Sequence, residues 1–297
     1  MKVRMRFIKR GPIQYIGHLD LMRYFQKVFR RCGLDVAYSK GFNPHQILSF
    51  ASPLGVGLTS MGEYLDATLN SMNVVNDQKD YSSSGTEPDV SISNEDNEQL
   101  QKTGTPLTPA EWIDRINEYS NDMVIVTAFN IMPDDIKPSM SLLSAASYIV
   151  SFTDKNMPDR IVGFFNSNEE IMYTKVSKKS TSEINLKDGM FVVSAAGDEF
   201  YEKAGRVALI DIAYEQEFMK MMECRYPLYI LCAAGSALNI KPEMLVEAYE
   251  EYIRNDEPAG NSELYPVDID YDIIRLNMFT ATSDESVTYT SMSHSAS

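Results

Sequence analysis

The chain has 297 residues, 44% of them hydrophobic, so it can bury a core, and its length predicts about two domains. A formal net charge of −15 argues against a general nucleic-acid binder. No stretch resembles a membrane span, and the alternating start, Met1–Ile13, lacks the apolar run of an export signal, so we expect a cytoplasmic protein without membrane contact.

The first half of the chain reads as strand, helix, strand, strand, helix, strand. This βαββαβ order is the ferredoxin-like plan, in which both helices lie on one face of an antiparallel sheet. The strand between the helix and the next strand is broken by a turn at Gly41–Pro44. The predicted strands are Lys2–Lys9, Leu34–Ala51, Glu63–Leu69 and Met123–Ile131, and the predicted helices are His18–Cys32 and Pro109–Tyr119.

The segment Ser71–Thr105 interrupts this first unit. It is rich in Ser, Asn and acidic residues and has no sustained period, which predicts a disordered insertion. A solvated surface loop and an acidic interaction tail both fit that composition.

A second, degenerate unit follows the Pro-rich and Asp-rich segment that ends at Pro138. The sequence thus predicts an α+β protein of two tandem ferredoxin-like domains, residues 1–137 and 138–280, with a disordered tail over 281–297. The predicted strands are Ala145–Phe152, Ile171–Val176, Met190–Ala195, Val207–Tyr214, Tyr226–Ala233 and Asp272–Phe279, and the predicted helices are Asp159–Asn166 and Pro242–Ile253.

Charge is distributed unevenly along the chain. Residues 1–46 hold ten Lys or Arg residues against two Asp, a net charge of +8, so the remainder carries −23. Such asymmetry predicts a local basic face that binds an anion, while the distant acidic surface favours solubility. The ten cationic residues are Lys2, Arg4, Arg6, Lys9, Arg10, Arg23, Lys27, Arg30, Arg31 and Lys40.

Four of these cations lie on the first helix, opposite its apolar side. Arg23, Lys27, Arg30 and Arg31 must therefore face solvent, either as an ordinary solvated face or as a contact surface for phosphate or carboxylate. Their arginines favour the second interpretation slightly, because a planar guanidinium fork suits phosphate.

Two histidines stand at junctions between elements. His18 begins the first helix, where it either hydrogen-bonds the turn or acts as an acid, base or ligand. Asp20, in the same turn, is explained by the helix dipole and by pairing with Arg23 or Tyr24 one turn on. His45 follows the turn YSKGFNPH, whose Lys40 and Phe42 suit anion contact and stacking on a base.

Other site chemistry is poorly supported. PLGVG (Pro53–Gly57) is a weak glycine signal that matches no phosphate-binding motif, and no metal site is expected. Cys32, Cys224 and Cys232 are widely spaced and odd in number, so we interpret them as small core residues. They cannot hold an iron–sulfur cube.

The stretch from Gly17 to Asp66 resembles the opening of the bacterial radical SAM-linked proteins, a family found beside, or fused to, cobalamin-type radical SAM proteins. Weaker similarity continues through Ser182–Asn185 and Asn239–Pro242 to the strand near Arg275. Two features depart from the family pattern, namely Gly17 in place of Ser and the long acidic insertion. The matching motif residues are His18, Leu19, Asp20, Arg23, Tyr38, Ser39, Gly41, Phe42, Asn43, Pro44 and Glu63–Asp66.

The resemblance implies a partner rather than a reaction. An iron–sulfur cluster, S-adenosylmethionine and cobalamin would belong to the radical SAM partner, and this chain is expected to hold no cofactor. The candidate binding residues are His18, Asp20, Arg23, Lys27, Arg30, Arg31, Tyr38, Ser39, Lys40, Gly41, Phe42, Asn43, Pro44 and His45.

Three functions remain open at this point. The first is an accessory protein that presents RNA or another anion to the partner. The second is a metal-independent RNA-processing endonuclease, in which His18 acts as acid or base and His45 is the other titratable candidate. The third is a purely structural assembly partner, which would be favoured if His18, Phe42 and His45 were buried and fully hydrogen-bonded.

Overall fold

The computed structural model describes residues 1–75, 106–176, 181–204, 220, 223, 225–256, 269–281 and 289–291. The predicted α+β class is confirmed, because six α-helices accompany a ten-stranded, mostly antiparallel sheet in the described part of the chain. The helices are α1 (His18–Cys32), α2 (Pro109–Glu118), α3 (Ser139–Leu142), α4 (Met157–Ser167), α5 (Gly197–Ala204) and α6 (Glu243–Asp256). The strands are β1 (Lys2–Lys9), β2 (Leu34–Val36), β3 (Leu48–Phe50), β4 (Thr59–Val74), β5 (Val124–Met132), β6 (Leu143–Phe152), β7 (Met172–Val176), β8 (Thr181–Asn185), β9 (Met190–Ser194), β10 (Tyr226–Ala233), β11 (Tyr271–Ala281) and β12 (Tyr289–Ser291).

One sheet runs through both predicted domains. Its strand order is β5-β1-β4-β11-β6-β10-β9, with β2 and β3 also paired to β4 and β12 paired to β11. The two halves meet where β4 and β11 pair in parallel, at Thr59 with Ile274 and at Ser60 with Arg275. The prediction that each half is a ferredoxin-like unit stays a prediction. Residues 1–137 and residues 138–280 contribute strands to the same sheet.

The seam between β4 and β11 is unusually close. A Cβ atom added to Gly62 would lie 2.5 Å from the carbonyl oxygen of Leu276, so only glycine fits there without a shift of the backbone. Next to it, the buried Tyr64 hydroxyl donates a hydrogen bond to Asn277 Oδ1 at 2.7 Å. Packing and hydrogen bonding therefore both join the halves.

Helix α1 forms where the sequence predicts it. Its apolar face packs on the sheet, with Leu21, Phe25 and Phe29 buried. The helix ends at Gly33, which adopts a left-handed conformation with φ of +72° and donates its N–H to the carbonyls of Phe29 and Arg30. These features fix the direction in which the chain enters β2.

The helices cover the sheet in different places. Helices α1 and α2 pack over the first half, where Trp112 is fully buried. Residues of α4 and α6 complete a second core, including Ile161 and Leu245. Helix α5 covers the third core through Phe200.

Several elements differ from their predicted bounds. Strand β4 is much longer than Glu63–Leu69, since it pairs with several neighbours along its length. Helix α5 and the β7–β8 hairpin were not fully predicted, because their short, polar sequences carry little apolar periodicity.

Some predictions fall partly or wholly outside the described residues. These are the predicted strand Val207–Tyr214, the insertion beyond residue 75, Cys224 and most of the tail. Within the tail, which was predicted to be disordered, Tyr289–Ser291 forms β12.

Candidate nucleic-acid interface

The turn predicted at Gly41–Pro44 lies at the tip of a loop that leaves the sheet between β2 and β3. We call residues Tyr38–Gln46 the protruding loop. At its base the Ile47 N–H donates to the carbonyl of Ala37 at 2.8 Å, and both residues are hydrogen-bonded to Thr68 of β4. Strands β2 and β3 are thus two parts of one interrupted strand.

The protruding loop is held by contacts between its two arms. The Ser39 N–H donates to the carbonyl of His45 at 2.8 Å, and the His45 N–H donates to Ser39 Oγ at 3.1 Å. The same Oγ lies 2.9 Å from His45 Nδ1. Tyr38 and Gln46 form a further antiparallel bridge. His45 therefore has a structural role in the loop, although its side chain is exposed.

The tip of the protruding loop projects into solvent. Phe42 is fully exposed, at 111% of its reference area, and Lys40, Gly41, Asn43 and Pro44 are exposed beside it. Tyr38, nearer the base, is half exposed at 51%. An aromatic ring without apolar cover next to a cation is a suitable surface for stacking on a base.

The basic helix face comprises Arg23, Lys27, Arg30 and Arg31, and all four side chains are exposed. Arg23 Nη1 lies 3.0 Å from Asp20 Oδ1 in an exposed ion pair, which contributes little to stability. The side chain of Arg30 reaches back along the helix to the carbonyl of Gln26, at 3.3 Å. Both contacts are weak enough to be exchanged for contacts with an anion.

His18 occupies a different position from the protruding loop. It is half-buried at the start of α1, and its ring packs edge-on against Phe50 with the centroids 5.0 Å apart. Phe50 is three residues beyond Ile47 at the loop base, a separation of about 10 Å along an extended chain. The two histidines therefore serve separate junctions, and neither of the two cavities described below is lined by them.

An ionic cluster that the sequence did not reveal lies at the seam between the halves. Arg275 of β11 donates through Nη1 to both carboxylate oxygens of Glu63, at 3.0 and 3.2 Å, and both side chains are buried. Lys9 is also buried and donates through Nζ to the carbonyls of Gln14 and Ile16. Charged residues inside apolar strands were the available signal, but Glu63 is 212 positions away from Arg275 in sequence.

Burial changes the acidity of several groups in this cluster. It lowers the pKa of Lys9, against the opposing attraction of Glu63. Burial also raises the pKa of Glu63, although Arg275 and Lys9 favour its ionised form. Tyr148, whose ring lies 5.6 Å from the guanidinium carbon of Arg275, has its pKa raised by burial to about 12. Its hydroxyl is therefore protonated at neutral pH.

Two cavities lie outside the predicted site. The first, of about 220 Å³, lies beside the ion pair of Arg4 and Asp66, whose atoms approach to 2.7 Å. The second, of about 330 Å³, is the junction pocket, which lies between the halves. It is lined by the loop Ser52–Leu58, which contains PLGVG, and by Tyr148, Ala234, Asn239, Lys241, Pro242, Glu243 and Arg275.

Other chemistry has little basis in the described residues. No group of three His, Cys, Asp or Glu side chains there could hold a metal ion. Cys32 and Cys232 are free and buried, as predicted, and burial raises the pKa of Cys32 to about 11. Within the same residues, no helix is both long and apolar enough to cross a membrane.

Comparison with protein families finds a match over most of the chain. A family model described as an uncharacterized protein conserved in bacteria (DUF2344) matches residues 2–84 and 90–239, more than half of the chain. No curated protein matches this sequence.

Proposed function

Since the chain belongs to DUF2344, a family of uncharacterized proteins conserved in bacteria, we propose its function from the chemistry of its exposed surfaces. It is a cytoplasmic accessory protein that binds RNA through the basic helix face and the protruding loop. It presents that RNA to a cobalamin-type radical SAM protein.

The exposure of Phe42 is the observation that carries the proposal. A phenylalanine that only served the fold would be covered, yet this ring is fully exposed on a loop whose arms are hydrogen-bonded together. Because the two arms of the loop are held together, the ring can stack on an unpaired base with little further ordering of the backbone, and Lys40 beside it can contact the phosphate. Single-stranded RNA offers both groups together.

The distribution of charge supports an RNA ligand of limited extent. The net charge of the whole chain is −15, so a long polyanion would meet repulsion away from residues 1–46. The basic helix face and Lys40 are exposed within that positive segment. A short single-stranded segment or an RNA loop fits this arrangement better than a long duplex does.

The choice of partner rests on the resemblance of Gly17–Asp66 to the radical SAM-linked proteins. Under this proposal the iron–sulfur cluster, S-adenosylmethionine and cobalamin belong to the partner, and this chain supplies RNA binding.

The first experiment measures RNA binding by fluorescence anisotropy at several salt concentrations. We expect Arg30→Glu/Arg31→Glu to weaken binding of a labelled single-stranded RNA and to reduce its salt dependence, because phosphate contacts are lost. Lys155→Glu/Arg160→Glu is the matched control, since it makes the same change in net charge at exposed positions of the second half. Equal weakening by the two double variants would show that only total charge matters, and would overturn the proposed surface.

The second experiment tests the partner. The purified chain and a radical SAM protein from the same bacterium are run together on a size-exclusion column, with and without RNA. We expect co-elution, and separate elution under both conditions contradicts the partnership. Co-elution with no RNA binding in the first experiment would favour the structural alternative.

The same RNA samples test the endonuclease alternative. On a denaturing gel the accessory proposal predicts intact RNA after incubation. Cleavage that disappears in His18→Ala would replace that proposal by metal-independent RNA processing.

A further inference from the structure

We propose that the junction pocket binds a small organic oxyanion, a carboxylate or phosphate with an apolar body. This site is separate from the basic helix face and the protruding loop, and it does not depend on RNA binding.

The shape of the junction pocket suits a small molecule. Its volume of about 330 Å³ lies at the lower end of the roughly 300–1,000 Å³ typical of ligand pockets. The loop Ser52–Leu58 forms one wall from the first half, and Asn239–Glu243 forms the opposite wall from the second half. Ligand sites are common where two such units meet.

The ion pair between Arg275 and Glu63 engages only one nitrogen of the guanidinium group. Both bonds to Glu63 come from Nη1, and the buried Nε has no hydrogen-bond partner in the described part of the structure. A buried donor without a partner destabilises the folded state, and a ligand that accepts from it removes that cost. The edge formed by Nε and Nη2 is one that binds oxyanions in a bidentate manner, and Glu63 does not occupy it. The Tyr148 side chain, which also lines the pocket, is hydrogen-bonded to the same guanidinium, so a bound oxyanion would share Arg275 with this hydroxyl.

The charges around the pocket favour an anion. Arg275 and Lys241 are positive lining residues, and Glu243 is the negative one. Behind them Glu63 and Lys9 carry opposite charges, so the whole set has a net charge of +1. Lys241 and Glu243 are 3.1 Å apart in a partly exposed pair that a ligand can rearrange at little cost.

The rest of the lining suits an organic body rather than a bare inorganic ion. Pro53, Leu54, Val56 and Leu58 provide apolar surface on the loop wall, and the Tyr148 ring lies beside Arg275. The loop is anchored, because the Gly57 N–H donates to the carbonyl of Gln14 at 2.9 Å. That same carbonyl accepts from Lys9 Nζ, so the ionic cluster and the apolar wall are held together.

The test uses isothermal titration calorimetry on the whole chain with phenyl phosphate, benzoate and neutral benzyl alcohol. We expect binding of phenyl phosphate, benzoate or both, and much weaker binding of benzyl alcohol. Binding of one anion alone supports the site and identifies its oxyanion. Failure of both anions to bind at millimolar concentration, or equal affinity for the alcohol, overturns the proposal.

Two variants locate the binding site. Val56→Asp places a negative charge on the pocket wall and should weaken anion binding about tenfold. Val176→Asp is its control, since Val176 is exposed on β7, outside the pocket. Glu63→Gln/Arg275→Met removes the guanidinium and its buried partner together, and circular dichroism checks that it folds. Wild-type affinity in both Val56→Asp and the double variant would show that the anion binds elsewhere.

Discussion

Phe42 is the residue whose removal most directly tests RNA recognition. Phe42→Ala should weaken RNA binding by about 1–3 kcal/mol, the usual effect of losing one stacked base. The thermal midpoint should not change, because the ring is fully exposed. Anisotropy and thermal unfolding measure the two effects, and Met172→Ala, an exposed apolar change in the second half, is the control. Unchanged affinity would remove Phe42 from the interface.

Arg275 should matter to stability as well as to ligand binding. Arg275→Met alone should destabilise the fold by about 3–5 kcal/mol, since it leaves Glu63 buried without its partner. Glu63→Gln/Arg275→Met should cost less than the single change, because no uncompensated carboxylate remains. Urea unfolding gives both values, and a double variant that is no more stable than the single one contradicts this account of the pair.

Sequence patterns predicted the residue-level features that depend on neighbours along the chain. The exposure of Arg23, Lys27, Arg30 and Arg31 follows from helical periodicity, and so does the burial of Cys32. The pairing of Glu63 with Arg275 could not be predicted in this way. It depends on which distant strands become neighbours, and local periodicity contains no such information.

Helix α2 has a capping box that should respond to pH. Thr108 Oγ1 accepts from the Glu111 N–H, and a Glu111 carboxylate oxygen accepts from the Thr108 N–H at 2.8 Å. The backbone N–H of Thr108 holds the pKa of Glu111 below its ordinary value. Glu111 therefore binds fewer protons in the folded state than in the unfolded state as the pH falls towards its pKa. The hydrogen bond of its carboxylate stabilises the fold above pH 4.5, and this stabilisation is lost as the pH falls and the carboxylate is protonated.

Glu111→Gln isolates this effect. The difference in unfolding free energy between wild type and variant should shrink as the pH falls from 6 to about 3. Chemical denaturation across that range measures it. Thr108→Ala should cost about 1 kcal/mol near neutral pH by the loss of the same cap. A difference for Glu111→Gln that stays constant with pH contradicts the assigned role of the carboxylate.

Replacement of glycine by alanine should have opposite effects on stability at two positions. Gly33→Ala should destabilise the protein by about 2 kcal/mol or more, because φ is +72° and the new Cβ would lie 2.6 Å from the carbonyl oxygen of Val75. Gly163→Ala, in the exposed interior of α4, should stabilise it by about 0.4–1 kcal/mol. Thermal unfolding compares them, and a shared sign contradicts the structural assignment.

Elements with strong periodicity were predicted well, and elements defined by tertiary pairing were not. Helix α1 has the predicted bounds because its apolar face and its terminal glycine act locally. Strand β4 continues to Val74 since β2 pairs with its far end, a contact that its own polar residues do not predict. Helix α5 depends on Phe200 and Ala204 for its burial, which is too short a pattern to recognise.

At the scale of the molecule, the shared sheet predicts that both halves unfold together. The fluorescence of Trp112, the only tryptophan, reports on the first half, whereas far-ultraviolet circular dichroism reports on the whole chain. The urea unfolding transitions followed by these two signals should coincide in the wild type. Gly62→Ala should separate them, because its Cβ would collide with β11 at the seam. Separate transitions in the wild type would show that the seam does not couple the halves.

The way in which the protruding loop is attached to the sheet determines how far its tip can vary. Since Ala37 and Ile47 are bonded to each other and to Thr68, the register of the sheet is fixed below the loop. The tip at residues 40–44 can therefore be lengthened, shortened or exchanged without moving β2, β3 or β4. Under the proposed RNA binding, changes confined to this tip would alter ligand choice while the sheet that supports it stays the same.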